Sequence, residues 1–282
     1  MCSLFLLAES VEAQGFAYYQ QMNSLENNVK PGRVGISGGL FVGTIGVFVA
    51  SINEAYYQDR RVKFHFARNS TGSIFYFDNY HREMDKFGHL WSTSMFSQNF
   101  YFLARWSGFN HKSSAIIGAG GAFLIMTGME VFDGHYESWG FSVGDFVANT
   151  FGAIFPVIQF GSPFLQNFDY KMSYNFLNDV SPQAGIHDYE NMTFWFSVNP
   201  RGLLASKSPS WLPGFLNIAV GAGLESYVTQ RRELFISLDY NLKRIKTGSM
   251  LLNHILAVAD RFHLPAPAIR ISPTFVGYGL FF

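Results

Sequence analysis

Asp85 and His89 stand four residues apart where an apolar stretch begins, Met84-Asp85-Lys86-Phe87-Gly88-His89. On a helix that spacing places a carboxylate and an imidazole on one face, about one turn apart. Such a pair can give a metal an oxygen and a nitrogen ligand, or serve as a general base with its orienting carboxylate. Two later apolar stretches carry similar groups: Glu130 and Asp133, three apart, late in one, and Asp145 and Asn149, four apart, early in the next. If the three stretches are packed helices, these six residues converge on one polar spot, which is how carboxylate metal sites are built in bundles. The metal candidates are then Asp85, His89, Glu130, Asp133 and Asp145. An oxygen-rich set with a single imidazole suits Mg, Mn, Fe or Ca better than structural zinc.

The same residues also have a purely structural account. Asp85 near a helix start is favoured by the dipole, Asp145 can belong to a cap, and His89 can bond Asp85 or a backbone carbonyl. Ionisable groups in apolar surroundings must be paired, so a network of Asp85, Lys86, His89, Glu130, Asp133, Asp145 and Asn149 arises for stability alone. No nucleophile motif accompanies it. The chain has no Gly-x-Ser-x-Gly, no His-Glu-x-x-His and no phosphate loop, and Gly118-Ala119-Gly120-Gly121 lies inside an apolar helix, where it reads as packing. The expectation is a non-enzymatic protein without a cofactor, a divalent metal remaining open. Were it an enzyme, Asp85, His89, Glu130 and Asp145 would carry the chemistry, with His89 as acid/base.

Composition points to a greasy environment. Of 282 residues only 14% are charged, 18% are aromatic with 31 Phe, and the net charge is zero. A neutral chain gives no reason to expect nucleic acid. Low charge with abundant Phe, Tyr and Gly suits a membrane or a large hydrophobic partner. Leu4-Phe5-Leu6-Leu7-Ala8 followed by Val11-Glu12-Ala13 resembles the end of a signal peptide, so residues 1–13 are expected to be its remnant and the protein to be exported. Cys2 lacks the preceding residues of a lipidation box, so the sequence does not establish a lipid anchor.

The elements that must position the polar groups follow from pattern. Residues 14–31 are amide-rich and read as a surface helix or extended arm. Val34 to Ser51 is an 18-residue run without charge, about 27 Å as a helix and marginal for crossing a bilayer. It is expected to be a buried hairpin helix or one lying in a single leaflet, rather than a spanning one. Gly35, Gly39, Gly43 and Gly46 form a smooth stripe along it. The motif helices are expected at about Glu83–Trp106, from a Ser113 or Ser114 cap to Phe132, and from a Ser142 cap to a stop or kink near Pro156. Beyond Gly161 the pattern becomes β-prone at Thr193–Val198, Leu216–Leu224 and Leu234–Leu242. In the last of these Leu234, Ile236 and Leu238 alternate with Ser237 and Asp239. Thr247–Phe262 reads as a helix. The aromatic end, from Phe275, is similar to the terminal strand of outer-membrane barrels, but about four strands are visible where a closed barrel needs eight. The expected fold is therefore mainly α: an apolar, membrane-associated helical bundle over residues 14–162, then a small antiparallel sheet plus one helix over 163–282.

Asp85-Lys86-Phe87-Gly88-His89, Gly128-Met129-Glu130-Val131-Phe132-Asp133-Gly134 and Ser142-Val143-Gly144-Asp145-Phe146-Val147-Ala148-Asn149-Thr150-Phe151-Gly152 together resemble the YfiM-like family of exported bacterial proteins, often described as periplasmic lipoproteins. The family's motif positions fall on Asp85, His89, Glu130, Asp133, Asp145 and Asn149. A looser similarity reaches VanZ-like membrane proteins, which implies an alternative, a membrane-embedded enzyme acting on lipid-linked or cell-wall substrates. The longer form, with an apolar N-terminal helix and a β-rich tail, looks like the version of Bacteroidota and is similar to the plug subunits of the type IX secretion translocon. That resemblance implies a protein at the periplasmic face of the outer membrane that closes a large outer-membrane β-barrel, and the amphipathic and half-length apolar helices are expected to hold it in inner-leaflet lipid.

Overall fold

The computed structural model describes residues 16–56, 59–75, 83–177, 188–226 and 228–281, with no side-chain detail for 51–56. The expected signal-peptide remnant, residues 1–13, lies outside the described residues. The chain divides into two compact units: Leu25–Val157, and the residues up to Ser24 together with those from Ile158 onward.

The second unit begins with helix α1 (Ala17–Asn23). The first unit holds α2 (Pro31–Tyr56), α3 (Met84–Trp106), α4 (His111–Ala115), a π-helical turn over Ile116–Gly120, α5 (Gly121–Asp133) and most of α6 (Val143–Gly161). Two of the three motif helices are capped by side chains. The Asn110 side chain, not Ser113 or Ser114, accepts the Ser113 N–H at 2.9 Å and starts α4. Ser142 Oγ accepts the Asp145 N–H at 3.2 Å, as its cap position predicts. Helix α6 runs on through Pro156 to Gly161 instead of stopping there.

Helix α3 is the centre of this unit. Its inner face is small and polar (Thr93, Ser94, Ser97 and Gln98 are buried), followed by Phe100, Tyr101 and Ala104. Small residues let helices approach closely. A Cβ on Gly152 of α6 would lie 2.6 Å from the Leu90 carbonyl oxygen and 2.9 Å from Thr93 Cβ; one on Gly118 would lie 2.9 Å from Ser97 O. Both glycines are therefore contact points. Ser97 Oγ–H closes the same seam by donating to Ala153 O at 2.7 Å. Buried Arg105 fastens the lower end, donating to Leu25 O at 2.7 Å and Asn27 Oδ1 at 2.8 Å.

Helix α2 departs from expectation. At 26 residues it is about 39 Å long. None of its 20-residue apolar window is buried, and Cβ atoms on Gly35, Gly39, Gly43 and Gly46 would meet nothing. It is not the buried hairpin helix that its following charges suggested. With His111–Asp133 and Val143–Gly161 it is one of three described helices long and apolar enough to cross a membrane.

The main correction concerns the sheet. A mainly α protein with a small sheet was expected; the fold is α+β. Its second unit is built on a six-stranded antiparallel meander in the order β1 to β6: Phe168–Tyr174, Met192–Val198, Leu216–Leu224, Arg232–Tyr240, Ala266–Ser272 and Val276–Phe281. The β1 and β5 strands escaped the sequence reading because β1 mixes Asp, Lys and Ser with aromatics and β5 opens on Ala-Pro-Ala. A short helix α7 (Pro200–Leu204) and helix α8 (Met250–Ala259) complete the unit.

The sheet is inside out relative to a soluble one. In β3 and β4 the buried positions are Asn217, Ala219, Gly221, Gly223, Leu224, Phe235, Ser237 and Asp239, while Ile218, Val220, Ile236 and Leu238 are exposed; Val220 is 53% exposed and Asp239 0%. The alternation was legible, but its polar half points inward. The sheet also curls strongly. Trp195 on β2 meets Phe281 on β6 with centroids 5.6 Å apart, although three strands separate them in the ladder and a flat sheet would hold them about 19 Å apart. Trp195 stacks on His263 at 4.1 Å and covers Gly221, where a Cβ would come within 2.5 Å of the indole.

Helix α1 belongs to this unit rather than to the helical one. Tyr18, Tyr19 and Met22 are buried. Tyr18 Oη pairs with His254 Nδ1 at 3.1 Å, Tyr19 Oη–H donates to Gln159 Oε1 at 3.2 Å, and Gln21 Oε1 accepts from Asn253 at 2.8 Å. The surface reading gives way over residues 17–22 and holds over most of 23–31, which are exposed. Gln21 accepts from Asn253 and Asn23 donates to Phe160 O, both at part-buried sites.

Candidate functional site

The helices bring the polar motif together. Lys86, on the first turn of α3, holds Asp85 Oδ2 at 3.1 Å and Asp145 Oδ1, from the start of α6, at 3.3 Å. Gly144 makes room for it, because a Cβ there would lie 2.5 Å from Lys86 Cε. Burial alone would push the Lys86 ammonium down, but the charges of Asp145 and Asp85 outweigh that and hold it above its ordinary value.

One turn further along α3, His89 Nδ1 lies 3.1 Å from Asn149 Oδ1 and 3.5 Å from Glu130 Oε1. The Asn149 amide is oriented by its partners: its Nδ2 donates to Met126 O at 3.4 Å and its Oδ1 accepts Thr93 Oγ1–H at 2.9 Å. An amide oxygen accepts, so in this contact His89 Nδ1–H donates to Asn149 Oδ1. Glu130, buried late in α5, accepts the Ser142 N–H at 3.1 Å through Oε2, tying the α5 end to the α6 start. Asp133 is buried on the same helix, and its carbonyl accepts the N–H groups of Tyr136 and Gly140, which shapes the loop to Ser142.

Of the expected metal candidates, His89, Glu130 and Asp145 each offer one atom within 4.8 Å of the others; Asp85 and Asp133 fall outside that grouping. Two oxygens and one nitrogen at such separations can hold a divalent cation. In this arrangement, however, the Lys86 ammonium already sits against Asp145.

A second ionic cluster was missed. Inside the curled sheet Lys171 contacts Asp239 at 2.7 Å and Asp260 at 3.1 Å, and Lys243 contacts Asp169 and, at 3.5 Å, Asp260. All five are buried, as is Arg261. Asp239 also accepts Ser197 Oγ–H at 2.5 Å, and Asp260 the Leu242 N–H at 2.6 Å. The partners are tens of residues apart, so no spacing announced them. The only sequence signal was a polar residue at every second position of a strand.

Residues 73–161, which hold α3 through α6 and the whole motif, match the family model described as "Predicted periplasmic lipoprotein (DUF2279)". The match supports an exported setting and names no reaction. No curated protein and no solved structure matches the chain.

Proposed function

We propose that this protein is a non-enzymatic, exported subunit at the periplasmic face of the bacterial outer membrane, docked on a large β-barrel there as a plug or accessory part. The type IX protein translocon is the barrel to which the sequence resemblance points. The observation that carries the reading is where charge and apolar surface lie. Asp85 and Asp145 are held by Lys86, and Glu130 accepts the Ser142 N–H, inside the helical unit. The outside presents apolar side chains on α2 and on the sheet. Apolar area on that scale needs lipid or a partner to cover it. Apolar helices such as α2 suit insertion into the inner leaflet.

The test is purification from membranes in mild detergent, followed by size exclusion. Co-elution with a large barrel protein is the expected result; elution as a detergent-free monomer overturns the reading. The 4.8 Å grouping of His89, Glu130 and Asp145 favours one other reading, a VanZ-like enzyme acting on lipid-linked or cell-wall substrates. His89→Ala and Asp145→Ala discriminate: loss of an activity with the fold intact supports the enzyme, whereas a drop in stability alone supports the structural network.

A further inference from the structure

We infer that the convex face of the six-stranded sheet is a lipid-contacting surface, packed against acyl chains in the manner of a transmembrane barrel wall. This deepens the membrane reading above and rests on it. The first argument is the sign of the alternation. Membrane barrels point apolar residues outward and polar ones inward with a period of two. Here register pairs run outward as Phe196, Val220 and Ile236 with Ile269 across four strands, and inward as Ser197 with Ala219 and Ser237. Phe196 is 49% exposed and Ile236 44%, whereas Lys171 and Asp239, both inward, are fully buried. A sheet facing water would reverse this.

The second argument is dimension. Nine-residue strands such as β3 and β4 extend about 30 Å, and at a tilt of about 40° they cover about 23 Å of membrane normal, close to the apolar band of outer-membrane barrels. The third is what lies at the rims. At the end of the sheet where β3 begins and β4 finishes stand exposed Phe164, Trp211 and Phe215; at the other stand Phe176 and Phe275. Rings at both margins of an aliphatic band are the girdles of a membrane wall. A soluble protein partner would not call for that symmetry.

The edges set a limit on the contact. Backbone groups cannot be left unpaired in hydrocarbon. At one edge, β1 is capped by the segment after α8: Met172 N–H donates to Arg261 O at 3.0 Å and His263 N–H to Met172 O at 2.9 Å. At the other edge, β6 ends the ladder. Lipid therefore covers the middle of the face, and the β6 side turns to protein or water.

The experiment places single cysteines in the full chain, on a Cys2→Ser background, at outward positions (Val220→Cys, Ile236→Cys, Leu238→Cys) and at inward Ala219→Cys. Each is labelled with a small environment-sensitive fluorophore and reconstituted into phosphatidylcholine–phosphatidylglycerol vesicles, with or without bromine on the acyl chains. Bromolipid is expected to remove roughly half of the emission at the outward sites and little at the inward one, the alternation a lipid-facing sheet must show. Outward labels quenched by aqueous iodide instead overturn the inference, because the face is then wet. Outward labels shielded from both quenchers overturn it too, because a second copy or another protein then covers the face. Failure of the chain to bind the vesicles counts the same way. Co-elution with a barrel is read separately, so the sheet inference can fail while the docking reading stands.

Discussion

The two units bury charge in opposite ways. In the helical unit, Lys86 and its carboxylates lie at one end of three helices, and Asp85 and His89 stay half-buried, within reach of solvent. In the sheet unit, Lys171, Lys243 and three aspartates are sealed behind strands whose outer side chains are aliphatic and aromatic. A sealed ion cluster has no water to fall back on, so each member depends on all the others. A half-open one can rehydrate. Buried charge is weak evidence for function on its own account, and the more accessible cluster is the one where chemistry or recognition has room to act.

This contrast can be broken at its strongest point first. Lys171→Met should cost about 3–5 kcal/mol, because two aspartates lose their buried counter-charge, read by chemical denaturation in detergent. Adding Asp239→Asn should restore part of it; an unchanged midpoint for the single variant would end the claim that the cluster is sealed. Lys86→Met should cost less, about 1–3 kcal/mol, since Asp85 can turn to water. Gly152→Ala belongs in the same range, about 1–3 kcal/mol, because its methyl must displace Leu90 or Thr93.

Acid should sharpen the contrast next. Burial lowers His254 to about 3 and His263 to about 4 from an ordinary value of 6.5. Both lie in the sheet unit and are neutral when folded. Between pH 6.5 and 4 the unfolded chain takes up protons that the folded chain refuses. This contribution to stability is therefore complete above pH 6.5 and falls with acid by about 1.4 kcal/mol per pH unit for each histidine. Replacing His254 with Phe should flatten that slope in a pH series of melting curves. The smallest effect belongs to Arg60→Ala. Its guanidinium pairs with Glu137 in full exposure, and the hydrogen bond raises the arginine and lowers the glutamate. Melting should scarcely change, because solvent screens such a pair.

What the sequence could reveal depended on range. The i, i+4 pairs Asp85/His89 and Asp145/Asn149 are local, and a helix is enough to align them, so their meeting with Glu130 followed once three helices packed. Lys171 needs Asp239 and Asp260 from distant strands and loops, and local spacing carries no trace of that. The β4 alternation was visible, but not which half faces inward; the curled sheet around Lys171 shows that it is the polar one. Residues 17–22 misled in a similar way, because Tyr18 and Gln21 look like a wet surface until His254 and Asn253 are placed beside them.

The first helix meets residues more than two hundred positions later, with Tyr18 bonded to His254. Such distant pairings form slowly, since the intervening loop must close before any contact rewards it. During synthesis the Tyr18 hydroxyl therefore waits for α8, whereas Tyr19 already has Gln159 and Phe160 to pack on. A chain cut short before that helix leaves the Tyr18 hydroxyl without its seat.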